Sequence, residues 1–326
     1  MTLPTYADVL EADSRIRPYA LETPLLRADA LDDLAGGRIF VKAECLQPRG
    51  AFKIRGAANA MMKIPIEDRH KGVVAFSSGN HAQGIAFMAK DLGMKATIVV
   101  PSDAPSGKLE SAARDGATIV TYDRVTESRE EIGAQIAADS GATLVQPFDQ
   151  KDVIAGQGTC GLEMVRQARG FGYELDEVIV CTSGGGLAAG IALALENASP
   201  LTRMILAEPD SHDDFGRSLR AGIVVSNASG TRSIQDALLT QSPGDLTLPI
   251  LARVGAIGIS VTDEEALFAM AFAFKYLRIV LEPGGAAALA SILSKKVNVS
   301  DKVVAVTASG GNVDPDVFIR ALAIKV

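Results

Sequence analysis

Lys53 is the residue of this sequence whose surroundings most suggest chemistry. It lies in RGAFKIRGA (49–57), directly after Phe52 and between Gly50 and Gly56. A lysine in this setting has two interpretations. Its methylenes can cover apolar surface while the ammonium stays in water, or a desolvated amine can form a Schiff base with an aldehyde. This stretch alone does not decide between them.

A run of three glycines offers a place for a phosphate group. It lies in TSGGGLAAG (182–190), where the apolar stretch VIVC ends and an apolar helix is expected to begin. Glycines before a helix let several backbone N–H groups converge, and the helix dipole adds positive potential. The alternative is a tight turn that needs positive φ. Since no Gly-Lys-Ser/Thr follows, a Walker-type loop is excluded.

A second glycine motif, GQGTCG (156–161), matches the G-x-G-x-x-G pattern of dinucleotide-binding loops. The residues before it do not form a convincing strand, and Asp176 and Glu177 precede the next strand, whereas a ribose-binding acid would follow it. We therefore interpret this segment as a close-packed helix start. What remains is a lysine in a glycine frame and a phosphate loop, which together would serve a phosphorylated cofactor carrying an aldehyde.

The elements that must position these residues are short apolar strands alternating with stretches of helical spacing. Nine strands are expected, at 38–44, 72–77, 95–100, 117–122, 143–147, 177–182, 203–208, 256–261 and 302–308. Near-continuous apolar strands alternating with helices indicate parallel sheets covered on both faces. In such α/β folds, ligands bind beyond the carboxyl ends of the strands. The polar or glycine-bearing turns at such places are SSGNHAQG (77–84), TSGGGLAAG, EPGGAAALA (282–290) and SGGN (309–312).

The composition is that of an ordinary globular protein. Of 326 residues, 48% are hydrophobic and 22% charged, and the formal net charge is −7 with scattered Lys and Arg. This balance argues against nucleic acid or an anionic membrane as a partner. Three well-separated cysteines indicate a reducing compartment. With no apolar signal core and no apolar run of ~18 residues, a cytoplasmic protein is expected.

Five motifs occur in the order found in fold type II pyridoxal-phosphate enzymes: KAECLQPRGAFKIRGA (42–57), SSGNHAQG, SGGGL, EPGGAAALA and SGGN. Over nearly its whole length the sequence resembles the serine/threonine dehydratase and serine racemase group. The resemblance implies two open parallel-sheet α/β domains, as in the tryptophan synthase β-like fold, with the cofactor between them. It places a small domain at 46–145 and a large domain at 1–45 and 146–326. It also implies a homodimer.

The same resemblance implies a role for each motif residue. Lys53 would form the Schiff base, and Phe52 would pack on the pyridine ring. The other implied cofactor ligands are Asn80 at the 3-hydroxyl, Ser309 at the pyridine nitrogen, and Ser183, Gly184, Gly185, Gly186 and Leu187 at the phosphate. The implied substrate ligands are Ser77, Ser78, Asn80 and His81. Ser78 is also implied as a catalytic residue, able to reprotonate the α-carbon from the face opposite Lys53.

EPDSHDD (208–214) resembles the divalent-cation loop of the racemase-like branch. The match implies Glu208 and Asp214 as carboxylate ligands and His212 as a main-chain carbonyl ligand. Such oxygen atoms suit Mg²⁺, Mn²⁺ or Ca²⁺. The alternative is an exposed acidic loop that caps the following helix.

The activity implied is β-elimination from a 2-amino-3-hydroxy acid such as L-threonine or L-serine, giving a 2-oxo acid and ammonia. Serine racemase and 3-hydroxyaspartate dehydratase are the alternatives within this chemistry, and in the latter Arg232 could hold the second carboxylate. Outside it, the alternatives are an NAD enzyme and a non-catalytic amino-acid sensor. The sequence departs from the group's pattern at Ser183, where a fourth glycine is common, and at SIQDA (233–237), which replaces T-I-A-D-G.

Overall fold

The described part of the chain forms two open α/β sheets. A computed structural model describes residues 2–77, 79–103, 106–123 and 125–326, with 106–109 described by their backbone. Within these residues one sheet has six strands and the other has four. Two α/β units with parallel-sheet cores agree with the predicted fold class.

The larger sheet has the strand order β1-β2-β10-β7-β8-β9. β1 pairs with β2 in antiparallel orientation, and the other neighbours are parallel. The central β7 is buried along its whole length, as expected for a strand covered on both faces. The strands are β1 Leu25–Leu26, β2 Arg38–Lys42, β7 Glu177–Cys181, β8 Arg203–Pro209, β9 Ile257–Val261 and β10 Val303–Thr307.

The smaller sheet is parallel throughout and has the order β5-β4-β3-β6. Its strands are β3 Val73–Phe76, β4 Ala96–Pro101, β5 Thr118–Tyr122 and β6 Thr143–Leu144. All four lie inside the range 46–145 predicted for the small domain. The exact domain boundaries stay a prediction.

Helices cover both sheets. They are α1 Tyr6–Ile16, α2 Asp29–Ala35, α3 Lys53–Met62, α4 Asn80–Asp91, α5 Ser106–Arg114, α6 Arg129–Ser140, α7 Lys151–Gly170, α8 Gly186–Ala198, α9 Asp214–Ala221, α10 Thr247–Arg253, α11 Asp263–Phe272, α12 Pro283–Leu293 and α13 Pro315–Leu322. Apolar side chains of α7 and α8 form the core on one face of the larger sheet, and those of α11 and α12 form the core on the other. No helix within the described ranges is long and apolar enough to cross a membrane.

All nine predicted strands are present, with ends that agree with the prediction or differ from it by up to three residues. The strand missed is β1, whose two residues are too short for an alternating pattern and form a strand only by pairing with β2. GQGTCG (156–161) also differs from its prediction. It lies inside α7, which begins five residues earlier at Lys151 because DVIA continues the helical pattern and does not form a turn.

Candidate active site

A cavity of about 220 Å³ is lined by residues from both sheets. Its walls contain most of the residues that the sequence motifs single out. The predicted residues that line it are Phe52, Lys53, Ser77, Asn80, His81, Ser183, Gly184, Gly185, Gly186, Leu187 and Ser309. The fold thus brings together side chains that are far apart in the sequence, because the turns that carry them converge on one cleft.

Lys53 is the first residue of α3 and its amine is held in the cavity wall. Its Nζ donates a hydrogen bond to the carbonyl oxygen of Pro147 at 2.7 Å and lies 5.2 Å from the centre of the Phe52 ring. Burial lowers the pKa of Lys53 to about 8, and the negative charge of Glu282 offsets part of this shift. A larger fraction of this amine is therefore neutral, and nucleophilic, than of an exposed lysine.

The glycine loop is shaped by close packing. Gly185 has φ +88°, a conformation that favours glycine, and α8 begins at the next residue. A Cβ at Gly184 would lie 2.5 Å from the ring of Phe148, so no side chain fits there. The loop therefore presents backbone N–H groups at a helix N-terminus, the arrangement that suits a phosphate group.

Ser183 begins this loop and connects it to a neighbouring segment. Its Oγ lies 2.8 Å from Oγ1 of Thr240 and accepts a hydrogen bond from the Thr240 backbone N–H at 3.2 Å. Thr240 also lines the cavity. Ser183, which replaces a glycine of the group's pattern, thus connects the 183–187 loop to Thr240 by hydrogen bonds.

Asn80 lies where three turns meet. Its Nδ2 donates to Oε1 of Glu282 at 2.6 Å, and its Oδ1 accepts from Nδ2 of Asn312 at 2.7 Å. The Asn312 amide also donates to the carbonyl oxygen of Arg49, at 2.8 Å. Glu282 and Asn312 line the cavity and were not predicted as site residues, although both lie in the quoted turns EPGG and SGGN. This network fixes the Asn80 side chain in the cleft.

His81 contributes a neutral ring to the wall. Its Nε2 is 3.0 Å from the carbonyl oxygen of Val145, so Nε2 carries the hydrogen and Nδ1 is left as an acceptor. Nδ1 is buried and makes no hydrogen bond within the described part of the chain. Burial and the charge of Lys53 lower the pKa of His81 to about 3. An unpaired acceptor in a cavity wall is consistent with a polar ligand there.

Ser309 is fixed by its backbone. Its carbonyl oxygen accepts from the Phe52 N–H at 3.1 Å, and its N–H donates to the Gly285 carbonyl oxygen at 3.2 Å. Its side chain is buried at the edge of the cavity. The hydroxyl is a neutral partner for a ring nitrogen.

A cation that sequence reasoning missed also lines the cavity. Arg129 is the first residue of α6, its guanidinium lies 5.4 Å from the centre of the Phe76 ring, and its Nε donates to Glu130 at 2.8 Å. The available signal was a cation at a helix N-terminus, where the dipole disfavours it. Arg232, by contrast, is exposed and does not line the cavity. Ser78 lies outside the described residues.

The predicted metal loop lies apart from this cavity. Both oxygens of Glu208 accept backbone N–H groups at the start of α9, from Phe215 and Gly216 at 2.8 Å each. Asp214 accepts from Asn227 through Oδ1 at 2.6 Å, whereas its buried Oδ2 has no hydrogen-bond partner among the described residues. The ring nitrogens of His212 lie near the hydroxyl groups of Ser211 and Thr231. These contacts do not involve the main-chain carbonyl oxygen of His212, which is the atom implied as a metal ligand.

Desolvation dominates the electrostatics of this loop. Burial and the charge of Asp214 raise the pKa of Glu208 to about 8, and burial raises that of Asp214 to about 6. No cluster of three His, Cys, Asp or Glu side chains suited to a metal ion is present in the described ranges. The cation predicted here is therefore not shown. Glu208 caps α9, as the alternative interpretation expected, but that interpretation also expected an exposed loop, whereas Glu208, His212 and Asp214 are buried.

The residues of the cavity fit pyridoxal phosphate. Its aldehyde needs an amine, which Lys53 would supply, and its phosphate needs N–H donors, which the 183–187 loop would supply. Asn80 and Ser309 would provide polar atoms for the ring substituents, and His81 would provide one for the substrate. The sequence also matches the family model for "Pyridoxal-phosphate dependent enzyme" over residues 16–310. This chain belongs to that family.

Relatives from the pyridoxal-phosphate-dependent family resemble the chain over nearly its full length. It is 43% identical to L-threo-3-hydroxyaspartate ammonia-lyase of Saccharomyces cerevisiae over 314 residues, covering 96% of this chain and 95% of that one. The structure of maize serine racemase superposes with a TM-score of 0.92 at 37% identity, covering 98% and 97%. The structure of the T.th. threonine deaminase superposes with a TM-score of 0.88 at 41% identity, covering 95% and 99%. The predicted family, the fold class and pyridoxal phosphate as cofactor are thus confirmed, whereas the predicted divalent cation is not shown in the described ranges.

Proposed function

We propose that the protein is a pyridoxal-phosphate-dependent ammonia-lyase that converts 3-hydroxyaspartate to oxaloacetate and ammonia. The observation that carries this choice is Arg129, whose guanidinium lines the same cavity as Lys53 and the glycine loop. A guanidinium is suited to bind a second carboxylate, which 3-hydroxyaspartate has and L-serine and L-threonine lack. The similarity to a protein named L-threo-3-hydroxyaspartate ammonia-lyase supports the same substrate.

The binding roles follow from the cavity wall. Pyridoxal phosphate, when bound, supplies an aldehyde that captures the substrate amine and a ring that withdraws electrons from the α-carbon. The N–H groups of the 183–187 loop bind the phosphate, Asn80 binds the ring hydroxyl, and Ser309 faces the ring nitrogen. Because a serine hydroxyl is neutral, it leaves that nitrogen unprotonated, which favours elimination over transamination.

The proton transfer is assigned to Lys53. Its neutral amine takes the α-proton as general base. The Lys53 ammonium so formed gives this proton to the β-hydroxyl, which leaves as water, and the amine is neutral again. The product is the enamine of oxaloacetate, which tautomerises to an imine and takes up one water to give oxaloacetate and ammonia. The water lost in the first step equals the water taken up in the last, so the overall change is release of ammonia.

Two other activities use the same residues. Deamination of L-threonine or L-serine needs only the Lys53 chemistry, and the similarity to a structure named threonine deaminase supports it. Serine racemisation needs a second proton donor on the opposite face, for which Ser78 is the candidate, and the similarity to maize serine racemase supports it. On serine or threonine, the only negatively charged group that Arg129 could bind is the α-carboxylate. We therefore rank threonine or serine deamination and serine racemisation below deamination of 3-hydroxyaspartate.

The proposal is tested by comparing substrates on the purified holoenzyme. L-threo-3-hydroxyaspartate, L-threonine and L-serine are supplied separately, and 2-oxo acid, ammonia and the chirality of the remaining substrate are measured. We expect kcat/KM for 3-hydroxyaspartate to exceed the others at least tenfold. A preference for L-threonine or L-serine would instead favour the simpler dehydratase, and D-serine accumulating with little pyruvate would identify a racemase.

A divalent cation at the 208–214 loop remains part of the proposal. Glu208 near the end of β8 and Asp214 at the start of α9 are both buried carboxylates, and Oδ2 of Asp214, which has no hydrogen-bond partner among the described residues, can act as a metal ligand. With the carbonyl of His212 and water, they would form an oxygen site for Mg²⁺ or Mn²⁺. Since this loop does not line the cavity, the ion would stabilise the fold and take no part in bond making.

A homodimer is also proposed. Phe274, Tyr276 and Val280 are exposed, as are Ile319 and Leu322 of α13, and the ring of Phe274 packs edge-on against Phe318 of α13 at 5.6 Å. Exposed apolar side chains of this size are typical of subunit interfaces. Sedimentation of the wild type and of Ile319→Glu tests it, and we expect a dimer that the substitution dissociates. The cytoplasmic location and the boundaries at 46 and 145 are kept as predictions.

A further inference from the structure

The GQGTCG segment (156–161), which matches a dinucleotide motif without serving one, lies in the interior of α7. This helix packs against both helices that carry the candidate active site. On one side is α3, which begins at Lys53, and on the other is α8, which begins in the glycine loop. None of Gly156, Gly158 and Gly161 lines the cavity. Any effect of these glycines on the site must therefore pass through the two neighbouring helices.

Towards α3, the two helices meet backbone to backbone. A Cβ on Gly156 would lie 2.5 Å from the carbonyl oxygen of Arg55 and 2.8 Å from Cα of Gly56. A Cβ on Gly56 would lie 2.4 Å from the amide nitrogen of the Gln157 side chain. Neither glycine has positive φ, so what requires glycine here is space and not backbone conformation. Even one added methyl group would force α3 away from α7.

Towards α8, the contact is equally close. A Cβ on Gly158 would lie 2.7 Å from the carbonyl oxygen of Gly190, and a Cβ on Gly190 would lie 2.4 Å from the carbonyl oxygen of Ile154. A Cβ on Gly161 would lie 3.0 Å from Cβ of Ala194, 3.1 Å from Cα of Ile191 and 3.2 Å from the Ile191 carbonyl oxygen, so it would press on the backbone of α8. Glycine is less favourable than alanine in a helix interior. The glycines on these two faces of α7 therefore make the helix less stable than alanines would.

Buried polar groups fix the position of α3 along α7. The Gly56 N–H donates to Oε1 of Gln157 at 3.3 Å. Arg55, fully buried, donates to Oγ1 of Thr159 at 3.0 Å and to Glu163 at 2.7 Å. Because a buried guanidinium cannot leave its partners without a large loss of free energy, α3 cannot slide or rotate against α7.

We propose that α7 is the spacer that sets the separation between Lys53 and the 183–187 loop, with the glycines of GQGTCG as its contact surface. The inference rests on the proposed cofactor. In pyridoxal phosphate the aldehyde is bonded to the ring and the phosphate to a short CH2–O arm on the adjacent ring carbon, so an amine and a phosphate loop can engage it together only over a narrow range of separations. Gly156, Gly158 and Gly161 are thus positioning residues for a reaction in which they take no direct part.

Two ligands of the apoprotein distinguish a change in the separation between Lys53 and the 183–187 loop from a distortion of the loop itself. Pyridoxal phosphate needs both Lys53 and the loop, whereas inorganic phosphate needs the loop alone. For Gly156→Ala and Gly161→Ala we expect the Kd for pyridoxal phosphate to rise at least tenfold while that for inorganic phosphate changes less than twofold. Attachment to Lys53 at saturating cofactor, trapped with borohydride, should slow in parallel. Gly170→Ala is the matched control, because it lies in the same helix with open space around it.

If Gly156→Ala does not fold, the proposal is tested by comparing Gly161→Ala with the double variant Gly161→Ala/Ala194→Gly. Ala194→Gly removes the atom closest to the methyl of Gly161→Ala but leaves the Ile191 backbone at 3.1 Å, so the double variant should regain part of the lost affinity for pyridoxal phosphate. Folded variants that bind and attach pyridoxal phosphate like the wild type would overturn the spacer, as would a double variant that binds no better than Gly161→Ala alone. If instead the wild type and Gly170→Ala do not bind pyridoxal phosphate, it is the proposed function that fails.

Discussion

Replacing Arg129 by glutamine should lower activity on 3-hydroxyaspartate far more than activity on L-threonine. The guanidinium lines the cavity and is assigned to the second carboxylate, which L-threonine lacks. A hydrogen bond to a charged group contributes about 1.5–3 kcal/mol. Because the Arg129 side chain is 39% exposed and also contacts Glu130, we take about 2 kcal/mol, at the low side of this range. That corresponds to about a 30-fold loss of kcat/KM.

The assay measures kcat/KM for both substrates on three proteins: the wild type, Arg129→Gln and Arg232→Gln. Arg232 is the matched control, because it is the cation that the sequence pointed to but it is exposed and outside the cavity. We expect Arg232→Gln to change either value less than twofold. The fold should tolerate Arg129→Gln, since a cation at the start of α6 opposes the helix dipole.

Equal losses on the two substrates would refute the assignment, because Arg129 would then serve a group that both share, such as the α-carboxylate. A loss confined to Arg232→Gln would show that the segment around 232 reaches the substrate in a way that this structure does not show.

Three further predictions concern the amine, the metal loop and the buried charges. The rate at which the apoprotein attaches pyridoxal phosphate should rise with pH to a plateau, with a midpoint at about 8, the pKa of Lys53. In Glu282→Gln this midpoint should move lower, because the variant loses the negative charge that favours the Lys53 ammonium. A wild-type midpoint near 10.5, the ordinary value for lysine, would contradict the burial of Lys53. Removing divalent cations with a chelator should lower the Tm of the wild type, and added Mg²⁺ or Mn²⁺ should restore it in the wild type but not in Asp214→Asn. If Tm does not respond to these ions in a protein that elemental analysis shows to be metal-free, Glu208 has only its role as the cap of α9. Arg55→Met should cost about 3–5 kcal/mol of unfolding free energy in urea titrations, because it leaves two buried glutamates short of their partner; a cost below about 1 kcal/mol would contradict the network.

Much of the fold could be predicted because its signals are local. The inner strands β2, β3, β4, β7, β8 and β10 are mostly buried apolar stretches, whereas the outer β5, β6 and β9 are partly exposed. SSGNHAQG, TSGGGLAAG and SGGN follow β3, β7 and β10 as expected. EPGGAAALA was expected at a strand end as well, but the residues before it form a π-helical turn, Ala273–Leu277, and then irregular chain. β1 could not be found this way, since its two residues owe their conformation to a partner strand. The helix around GQGTCG was recognised, but its start was misplaced because glycine weakens the local helical signal.

The site could be predicted only where a motif marks it. Lys53, Asn80 and the 183–187 loop lie in such motifs, and the fold brings them together. Arg129 lies in no motif, and its place in the cavity wall depends on how α6 packs near β3. Arg232 drew attention because of its position beside SIQDA, yet nearness in sequence to a motif does not bring a side chain into the cavity.

Lys53 is assigned here as the residue that binds the cofactor's aldehyde, and reduction with borohydride followed by peptide mass mapping would locate the modified lysine. Lys42 is the natural comparison, because it is fully buried as well but its amine is held by Glu163 at 2.6 Å. We expect the holoenzyme to absorb visible light and the reduced cofactor to be found on the peptide containing Lys53, with none in Lys53→Ala. A label on Lys42 or on any other lysine, or a protein that takes up no label, would contradict this assignment.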